Sequence, residues 1–175
     1  MYVTTTFRYG WKSNAPIEEM TMLPYEIRHS NKEDIPSILR LLRQIAAYSD
    51  NHSELGPASS DEQLLKMLKE CTIFLLEAEG RVVGINAVQI LDVSQYAHPL
   101  HAKIGFVMAF GVDETERRNG YGSALMQHMR EWIAGEGVNL ISLNVSASNH
   151  AAQAFYRSVG FEARAVHMEQ ILKIP

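Results

Sequence analysis

The sequence predicts an α/β domain in which a mixed sheet carries helices on both faces. Segments rich in β-forming residues dominate the middle of the chain, and segments of helical periodicity lie among them, in the order β-α-α-β-β-β-α-β-α-β. Such interleaving is typical of layered α/β folds. The chain has 175 residues, of which 46% are hydrophobic and 21% charged, which is enough for one compact core without disulfides.

The first predicted elements are a strand and two helices. Tyr25–His29 is a short strand. Ser30 followed by Glu33 has the spacing of a capping box, so we expect a helix that begins near these residues and runs to about Tyr48. A loop of small and polar residues precedes a second helix, Asp61–Glu70. The first helix would bury apolar residues at helical spacing, namely Ile35, Ile38, Leu39, Leu42, Ile45 and Ala46.

Three strands are predicted next. Thr72–Glu77 and Val82–Leu91 are rich in β-formers and flank Gly80, a pattern typical of a hairpin. After a loop at Asp92–Leu100, a long strand covers Ala102–Val112. We expect it to stop there because residues 113–119 are all polar or charged.

The C-terminal part resumes the alternation of helices and strands. Helical periodicity returns at Tyr121, and Gly135 and Gly137 are suited to end that helix. Asn149 is a good N-cap for a short helix. The remaining predictions are two strands and this short helix: Leu140–Ser146, Ala163–Leu172 and Ala151–Ser158.

Composition excludes several function classes. A net charge of -4 argues against a basic surface for nucleic acid. No apolar run approaches the roughly 20 residues of a membrane span, and Met1–Met20 lacks the apolar core of a signal peptide. The only cysteine, Cys71, cannot form an internal disulfide and is interpreted as a small buried hydrophobe. We therefore expect a cytoplasmic protein with an N-terminal extension at residues 1–24 and one domain at residues 25–175.

The most informative segment is the turn after the long strand. In Val112–Leu125 a strand leads through two spaced glycines into an amphipathic helix. The first turn of a helix presents unpaired N–H groups, and glycine lets an anion approach them closely. A phosphate-binding P-loop is excluded because its lysine is missing, and a dinucleotide fingerprint because Leu125 stands at the third glycine position.

The segment Arg117-Arg118-Asn119-Gly120-Tyr121-Gly122 resembles the Arg-x-x-Gly-x-Gly signature of the GNAT superfamily of acetyl-CoA-dependent N-acetyltransferases. A second segment, from Asn149 through Tyr156 to Gly160-Phe161, is similar to that family's Asn-x-x-Ala-x-x-x-Tyr-x-x-x-Gly-Phe pattern. The resemblance covers about Ile27–Leu172. It implies a mixed, mostly antiparallel central sheet flanked by helices on both faces.

The resemblance also implies roles for individual residues. The backbone at Phe110–Val112, including Phe110 and Val112, would pair with the pantetheine arm of acetyl-CoA, and Asn149 would hydrogen-bond the cofactor or a nearby water. Tyr156 would protonate the departing thiolate, and a phenol with its ordinary pKa near about 10 is a suitable acid for that step. The pyrophosphate would be bound at the turn by Arg117, Arg118, Asn119, Gly120, Tyr121, Gly122 and Ser123.

Two positions depart from the family pattern. Arg118 stands where glycine is frequent, and Asn119 where a basic residue or glycine is frequent. Backbone N–H groups can still donate after both changes, so we expect the cofactor site to be intact.

The acceptor and the general base are less well defined. The resemblance implies direct acetyl transfer to a primary amine of a small molecule or peptide; the alternative is an acyl-CoA-binding module without turnover. Acceptor contacts are expected from Ser49–Ser60, from Asp92–His101 and from the end of the last strand, with Tyr48, His52, Tyr96 and His98 as candidates. Because the long strand has no carboxylate, a water chain competes as the base with four side chains: Glu77, Asp92, His98 and His101.

The sequence offers no other catalytic or metal-binding pattern. The histidines show no ligand spacing, so we expect no metal. No Gly-x-Ser-x-Gly elbow is present. A homodimer is possible through the predicted last strand or the N-terminal extension.

Overall fold

In the computed structural model, the part of the chain described is residues 24–48, 56–96, 101–168, 170 and 172. Outside these residues lie His52, His98 and residues 1–23 of the predicted N-terminal extension. The described elements, in chain order, are β1 (Tyr25–His29), α1 (Ile35–Ala46), α2 (Asp61–Met67), β2 (Thr72–Ala78), β3 (Arg81–Asp92), β4 (Lys103–Val112), α3 (Tyr121–Gly135), β5 (Ile141–Leu143) and α4 (His150–Ser158).

The five described strands form one sheet in the order β1-β2-β3-β4-β5. The first three pairings are antiparallel, and β5 alone lies parallel to its neighbour, β4. A parallel pair requires a crossover, which α3 provides. The predicted mixed, mostly antiparallel sheet is therefore confirmed.

Helices cover both faces of this sheet, as predicted. On one face, α1 and α2 form a core with β2, β3 and β4 through residues such as Leu42, Leu64 and Ile85, all fully buried. On the other face, α3 packs through Leu125 and Met129. Alternate residues of a strand point to opposite faces, so each central strand contributes to both cores.

The start of α1 differs from the prediction. The capping box is formed by Asn31 and Asp34 rather than by Ser30 and Glu33: Asn31 accepts a hydrogen bond from Glu33 N, and Asp34 accepts one from Asn31 N. A 3₁₀ turn follows, and α1 begins at Ile35. Pro36 explains the delay, because proline is tolerated only in the first turn of a helix.

The predicted last strand, Ala163–Leu172, is wrong for the residues that can be described, since 163–168, 170 and 172 belong to no strand. β5 is also shorter than the predicted Leu140–Ser146. β5 is the last strand of the sheet and pairs with β4 at only three positions, so a further strand would find only a short partner there. Val166 and Met168 are each 87% exposed.

Cys71, directly before β2, is half-buried rather than buried as predicted, and it packs against the core on the α1 face. Burial, with a smaller effect from Glu70, raises the pKa of its thiol to about 11. Such a thiol is a poor nucleophile at neutral pH. None of the helices in the described ranges combines the length and apolar composition that crossing a bilayer requires.

Candidate functional site

The site contains a segment of β4 that pairs with β3 on one side and with no described strand on the other. β5 pairs with β4 only at Gly105, Phe106 and Val107. Directly after Val107 the register between β3 and β4 shifts by one residue, a β-bulge at Met108. Bulges bend and twist a strand, so β4 diverges from β5 at this point. From Met108 to Val112, no described strand pairs with this edge of β4, which we name the open edge.

The backbone groups of Phe110 and Val112 point to the open edge. Asp113 N donates to Val83 O at 2.7 Å, which makes the directly opposed residues Gly84 and Val112 a non-hydrogen-bonded pair. Phe110, two residues earlier, has the same orientation. Their N–H and C=O groups therefore face away from β3, which is the orientation that strand-like pairing with a ligand needs.

The turn that follows leads to a helix start with no capping side chain. Arg118 and Gly120 have φ values of 72° and 79°, and Arg117–Gly120 is exposed. Gly120 is the N-cap of α3 and offers no side-chain hydrogen bond, whereas Ser60 caps α2 and Asn149 caps α4. The first N–H groups of α3, on Tyr121, Gly122 and Ser123, are thus not occupied by a cap.

Tyr121 can contribute only its backbone to a ligand. Its side chain is 1% exposed and packs edge-on against Tyr25, with ring centroids 5.8 Å apart. Burial, assisted by Glu116 and Glu79, raises the pKa of its hydroxyl. Asn119 remains exposed, and its Nδ2 lies 3.5 Å from Glu116 Oε2.

Ion pairs attach the turn to the body of the domain. Asp113 is buried, pairs with Arg40 and accepts hydrogen bonds from Thr115 N and Oγ1 at 3.1 and 2.9 Å. Burial alone would raise the pKa of Asp113, but the contacts with Thr115 and Arg40 outweigh it and hold that pKa below its ordinary value. Sequence reasoning missed Arg40, because its partner lies 73 positions away.

The side chain of Arg117 is hydrogen-bonded to other groups of the protein. Its Nε donates to Val112 O at 3.3 Å and its Nη1 to Tyr48 Oη at 3.1 Å, while the guanidinium lies 4.9 Å from the centre of the Tyr48 ring. The Tyr48 hydroxyl in turn donates to Glu114 Oε1 at 3.0 Å. Tyr48, predicted as an acceptor contact, therefore lies against the turn, and no local pattern in the sequence indicated this.

Tyr156 lies beside Phe110 of the open edge. Its ring centroid is 6.1 Å from that of Phe110, and it also contacts Phe155 and Phe161. Burial raises the pKa of its hydroxyl to about 12, and no described group hydrogen-bonds that hydroxyl. Phe155, which sequence reasoning missed, stacks on Phe110 at 5.3 Å and joins α4 to β4.

Asn149 lies at the other end of α4, about 10 Å from Tyr156 along the helix axis. Its Oδ1 accepts a hydrogen bond from Ala152 N at 3.0 Å, as the N-cap prediction required. Among the described residues its Nδ2 has no partner, so this group can donate to a ligand.

The three predicted base candidates that can be described lie away from the open edge. Asp92 lies opposite Lys103 in the β3–β4 ladder, at the far end of β4 and about 20 Å from Phe110 along the strand. Hydrogen bonds from Ser94 lower the pKa of Asp92. His101 precedes β4 and contacts Asn139 at 2.7 Å. Glu77 binds Arg28. Within the described ranges, no group of three or more His, Cys, Asp or Glu side chains is placed to hold a metal ion.

The sequence also matches the profile of a known protein family. The sequence profile described as "Acetyltransferase (GNAT) family" matches residues 36–161, which include the open edge, the turn and Tyr156. The chain belongs to the GNAT acetyltransferase family.

Individual relatives share parts of the chain. L-2,4-diaminobutyric acid acetyltransferase of Nocardia farcinica is 32% identical over 88 residues, 50% of this chain and 42% of the relative. The [ribosomal protein bS18]-alanine N-acetyltransferase of Escherichia coli K12 is 40% identical over 55 residues, 31% of this chain and 37% of the relative. The chain thus spans less than half the length of either protein.

A solved structure shares the fold. AAC(6')-Iy, in complex with the bisubstrate analogue CoA-S-monomethyl-acetylneamine, superposes with a TM-score of 0.64 over 85% of this chain and 99% of that chain. The two sequences are 19% identical, so the comparison supports the fold alone.

Proposed function

We propose that this chain is an N-acetyltransferase that moves the acetyl group of acetyl-CoA directly to a primary amine of a small molecule or peptide. One observation carries the proposal: the open edge of β4 runs into the uncapped N-terminus of α3. A long ligand with an amide-containing arm and a phosphate-rich end matches both halves of this surface.

The residues present fit acetyl-CoA. Backbone groups of Phe110 and Val112 would bind the pantetheine arm, although Arg117 already donates to Val112 O, which leaves Val112 N–H and both groups of Phe110. The N–H groups of Arg118–Ser123 would bind the pyrophosphate at the positive end of α3. Asn149 Nδ2 would donate to the arm or to a water beside it.

Bound acetyl-CoA would supply an activated acyl group as its thioester. The protein's part is to hold the reacting groups together and to handle protons. With its pKa raised to about 12, Tyr156 stays protonated across the physiological pH range and can donate its proton to a leaving thiolate. Since none of the described base candidates, Glu77, Asp92 and His101, lies at the open edge, the proton of the amine would leave through water.

The relatives support a primary amine as the acceptor. One is named for a diamino acid and another for the alanine of a ribosomal protein, so both small molecules and peptides occur among similar proteins. We infer that acceptor contacts come from residues near 49–60 and 92–101. Homodimerisation stays a prediction, which sedimentation equilibrium would test.

The test is a Tyr156→Phe variant compared with Tyr25→Phe. Phenylalanine keeps the ring contacts of Tyr156 and removes only the proton donor. The control likewise removes a hydroxyl, on β1, and keeps the ring contact of residue 25 with Tyr121, so it reports the effect of losing a tyrosine hydroxyl elsewhere in the domain. Thiol release from acetyl-CoA would be followed with a panel of primary amines, and acetyl-CoA binding by calorimetry. We expect Tyr156→Phe to bind acetyl-CoA as wild type does. Its rate of acetyl transfer should fall by at least about 10²-fold, since general acids contribute factors of that order.

The possible outcomes separate the hypotheses. Undiminished transfer by Tyr156→Phe would remove Tyr156 from the mechanism. Binding without thiol release by the wild-type protein with any amine would favour the inactive acyl-CoA-binding module. Absence of acetyl-CoA binding would contradict both.

A further inference from the structure

A cavity beside the first half of α1 is lined by arginines from three different elements. It has a volume of about 440 Å³, which falls in the range of small-molecule sites, about 300–1,000 Å³. None of its residues belongs to the open edge or to the N–H groups proposed for the pyrophosphate. We name it the arginine cavity, and its lining is Arg28 of β1, Ser37 and Arg40 of α1, Glu77 of β2 and residues 80–82, where β3 begins.

Arg28 and Glu77 form one wall of the arginine cavity and hold each other in place. The Arg28 guanidinium donates to both carboxylate oxygens of the buried Asp34 at 2.8 Å. It also donates twice to Glu77 Oε2 at 3.3 Å and once to the carbonyl of His29 at 3.2 Å, so all its N–H donors are in use. Glu77 Oε1 has no partner among the residues that the structure describes, and it can accept a hydrogen bond from an occupant of the cavity.

Arg40 and Arg81, in contrast, keep most of their donors available. Arg40 donates to Asp113 and to a carbonyl of β3, and Arg81 donates to Glu116. Within the described part of the chain, three N–H groups of Arg40 and four of Arg81 have no partner, and neither does the Ser37 hydroxyl. The carboxylates of Asp113 and Glu116 do not line the cavity, so its lining has three cationic side chains and one anionic side chain.

We propose that the arginine cavity binds a small phosphomonoester that also carries a hydroxyl or amino group. A phosphate group has three terminal oxygens, which suit the two guanidinium groups and the Ser37 hydroxyl together, and guanidinium can bind phosphate through two parallel hydrogen bonds. A carboxylate has only two oxygens and matches this donor set less well. The hydroxyl or amino group of the ligand donates to Glu77 Oε1. A second anionic group at that position would be repelled by Glu77.

Calorimetric titration of the full chain with four probes tests the ligand class: glycerol 3-phosphate, inorganic phosphate, glycerol and succinate. The buffer contains no phosphate and little salt, since salt screens exposed charges. We expect glycerol 3-phosphate to bind with a dissociation constant below about 1 mM, because two charge-assisted contacts support an affinity of that order. Inorganic phosphate should bind about threefold more weakly, because it lacks the hydrogen bond to Glu77. Glycerol and succinate should not saturate the protein at about 10 mM.

Three variants and a control locate the binding. Arg81→Ala should weaken glycerol 3-phosphate binding by about tenfold, and Arg81→Lys by less, because lysine keeps the charge and loses the two parallel hydrogen bonds. Glu77→Gln should strengthen binding of inorganic phosphate by about twofold to fivefold, since it removes a negative charge from the wall of the cavity. Arg43→Ala is the matched control, because Arg43 is an exposed arginine of α1 that pairs with Asp61 outside the cavity. The control should bind all probes as wild type does.

Several results would overturn the inference without touching the proposed function, which is tested by acetyl-CoA binding and by Tyr156→Phe. Wild-type protein that shows no saturable binding of glycerol 3-phosphate has no such site. An Arg81→Ala protein that binds this probe as wild type does would place it outside the arginine cavity. Succinate that binds as tightly as glycerol 3-phosphate would contradict the choice of a phosphomonoester. We expect glycerol 3-phosphate to stay bound when acetyl-CoA is saturating, and its displacement would show that both ligands compete for the turn after β4.

Discussion

Gly122, in the first turn of α3, provides a direct test of how the co-substrate would approach the site. A Cβ placed on Gly122 would lie 3.4 Å from two ring carbons of Phe155 and 3.8 Å from Phe110 Cζ, which is ordinary van der Waals contact. The free protein should accept the methyl group without a clash. Alanine is better than glycine in a helix by about 0.5–1 kcal/mol, so Gly122→Ala should raise the melting temperature by about 1–4 °C.

The same methyl group should weaken binding of acetyl-CoA. It would lie against the two aromatic rings that border the open edge, beside the N–H groups proposed for the pyrophosphate. A ligand displaced by this methyl loses or stretches a charge-assisted hydrogen bond worth about 1.5–3 kcal/mol, so affinity should fall by about 10- to 100-fold.

Gly135 supplies the control for this prediction. It is the last residue of α3, and a Cβ there would meet nothing within 4 Å. Gly135→Ala should therefore stabilise the protein to a similar extent and leave acetyl-CoA binding unchanged. Thermal melting and calorimetric titration of the two variants give the comparison. A Gly122→Ala protein that binds acetyl-CoA as wild type does would refute the close approach at α3.

Three further predictions concern buried groups. Asn86 is fully buried, and neither polar atom of its side-chain amide has a hydrogen-bond partner among the described groups. Asn86→Leu should therefore raise the free energy of unfolding by about 1–3 kcal/mol in denaturant titrations, and a decrease would show that the amide is hydrogen-bonded in the native protein. The lowered pKa of Asp113 means that its charge stabilises the fold above the unfolded pKa near about 4 and that this stabilisation is lost as pH falls through the folded value. Asp113→Asn should therefore lower the free energy of unfolding by about 1–2 kcal/mol at pH 7, a figure kept small because Arg40 is partly solvated, and should have no such effect at low pH; denaturant titrations at both pH values measure the difference. For Tyr156, a pKa of about 12 predicts no loss of kcat from its ionisation between roughly pH 8 and 10, and a falling limb in that range that is absent from Tyr156→Phe would contradict the assignment.

The fold could be predicted from the sequence wherever periodicity is strong and local. The long strand that became β4 and the amphipathic helix that became α3 each carry their own pattern, and both were placed within two residues of their observed starts. The length of β5 could not be obtained in this way. Leu140–Ser146 alternates as a strand should, but the number of paired residues is set by the bulge in its neighbour.

The candidate site likewise has residues that the sequence predicts and contacts that it does not. Gly120, Gly122 and Tyr156 could be proposed as site residues because a short segment of sequence carries each signal. The contacts that hold the turn were missed, since Arg117 and Tyr48 are 69 positions apart and only the folded sheet brings them together. Long-range ion pairs leave no periodic trace in a sequence, so the supporting shell of a site is harder to predict than the site itself.

The bulge at Met108 links these observations. It adds one residue to β4 at the point where pairing with β5 ends, so the backbone groups that face the open edge belong to Phe110 and Val112 rather than to Ala109 and Gly111. It also turns the side chain of Phe110 towards α3 and α4, where Phe155 stacks on it. One extra residue thus opens the edge, selects the backbone groups presented there and brings Tyr156 of α4 beside them. A deletion that removed the bulge would shift all three together, which is why we attribute the site to β4 as much as to the glycine turn that first revealed it.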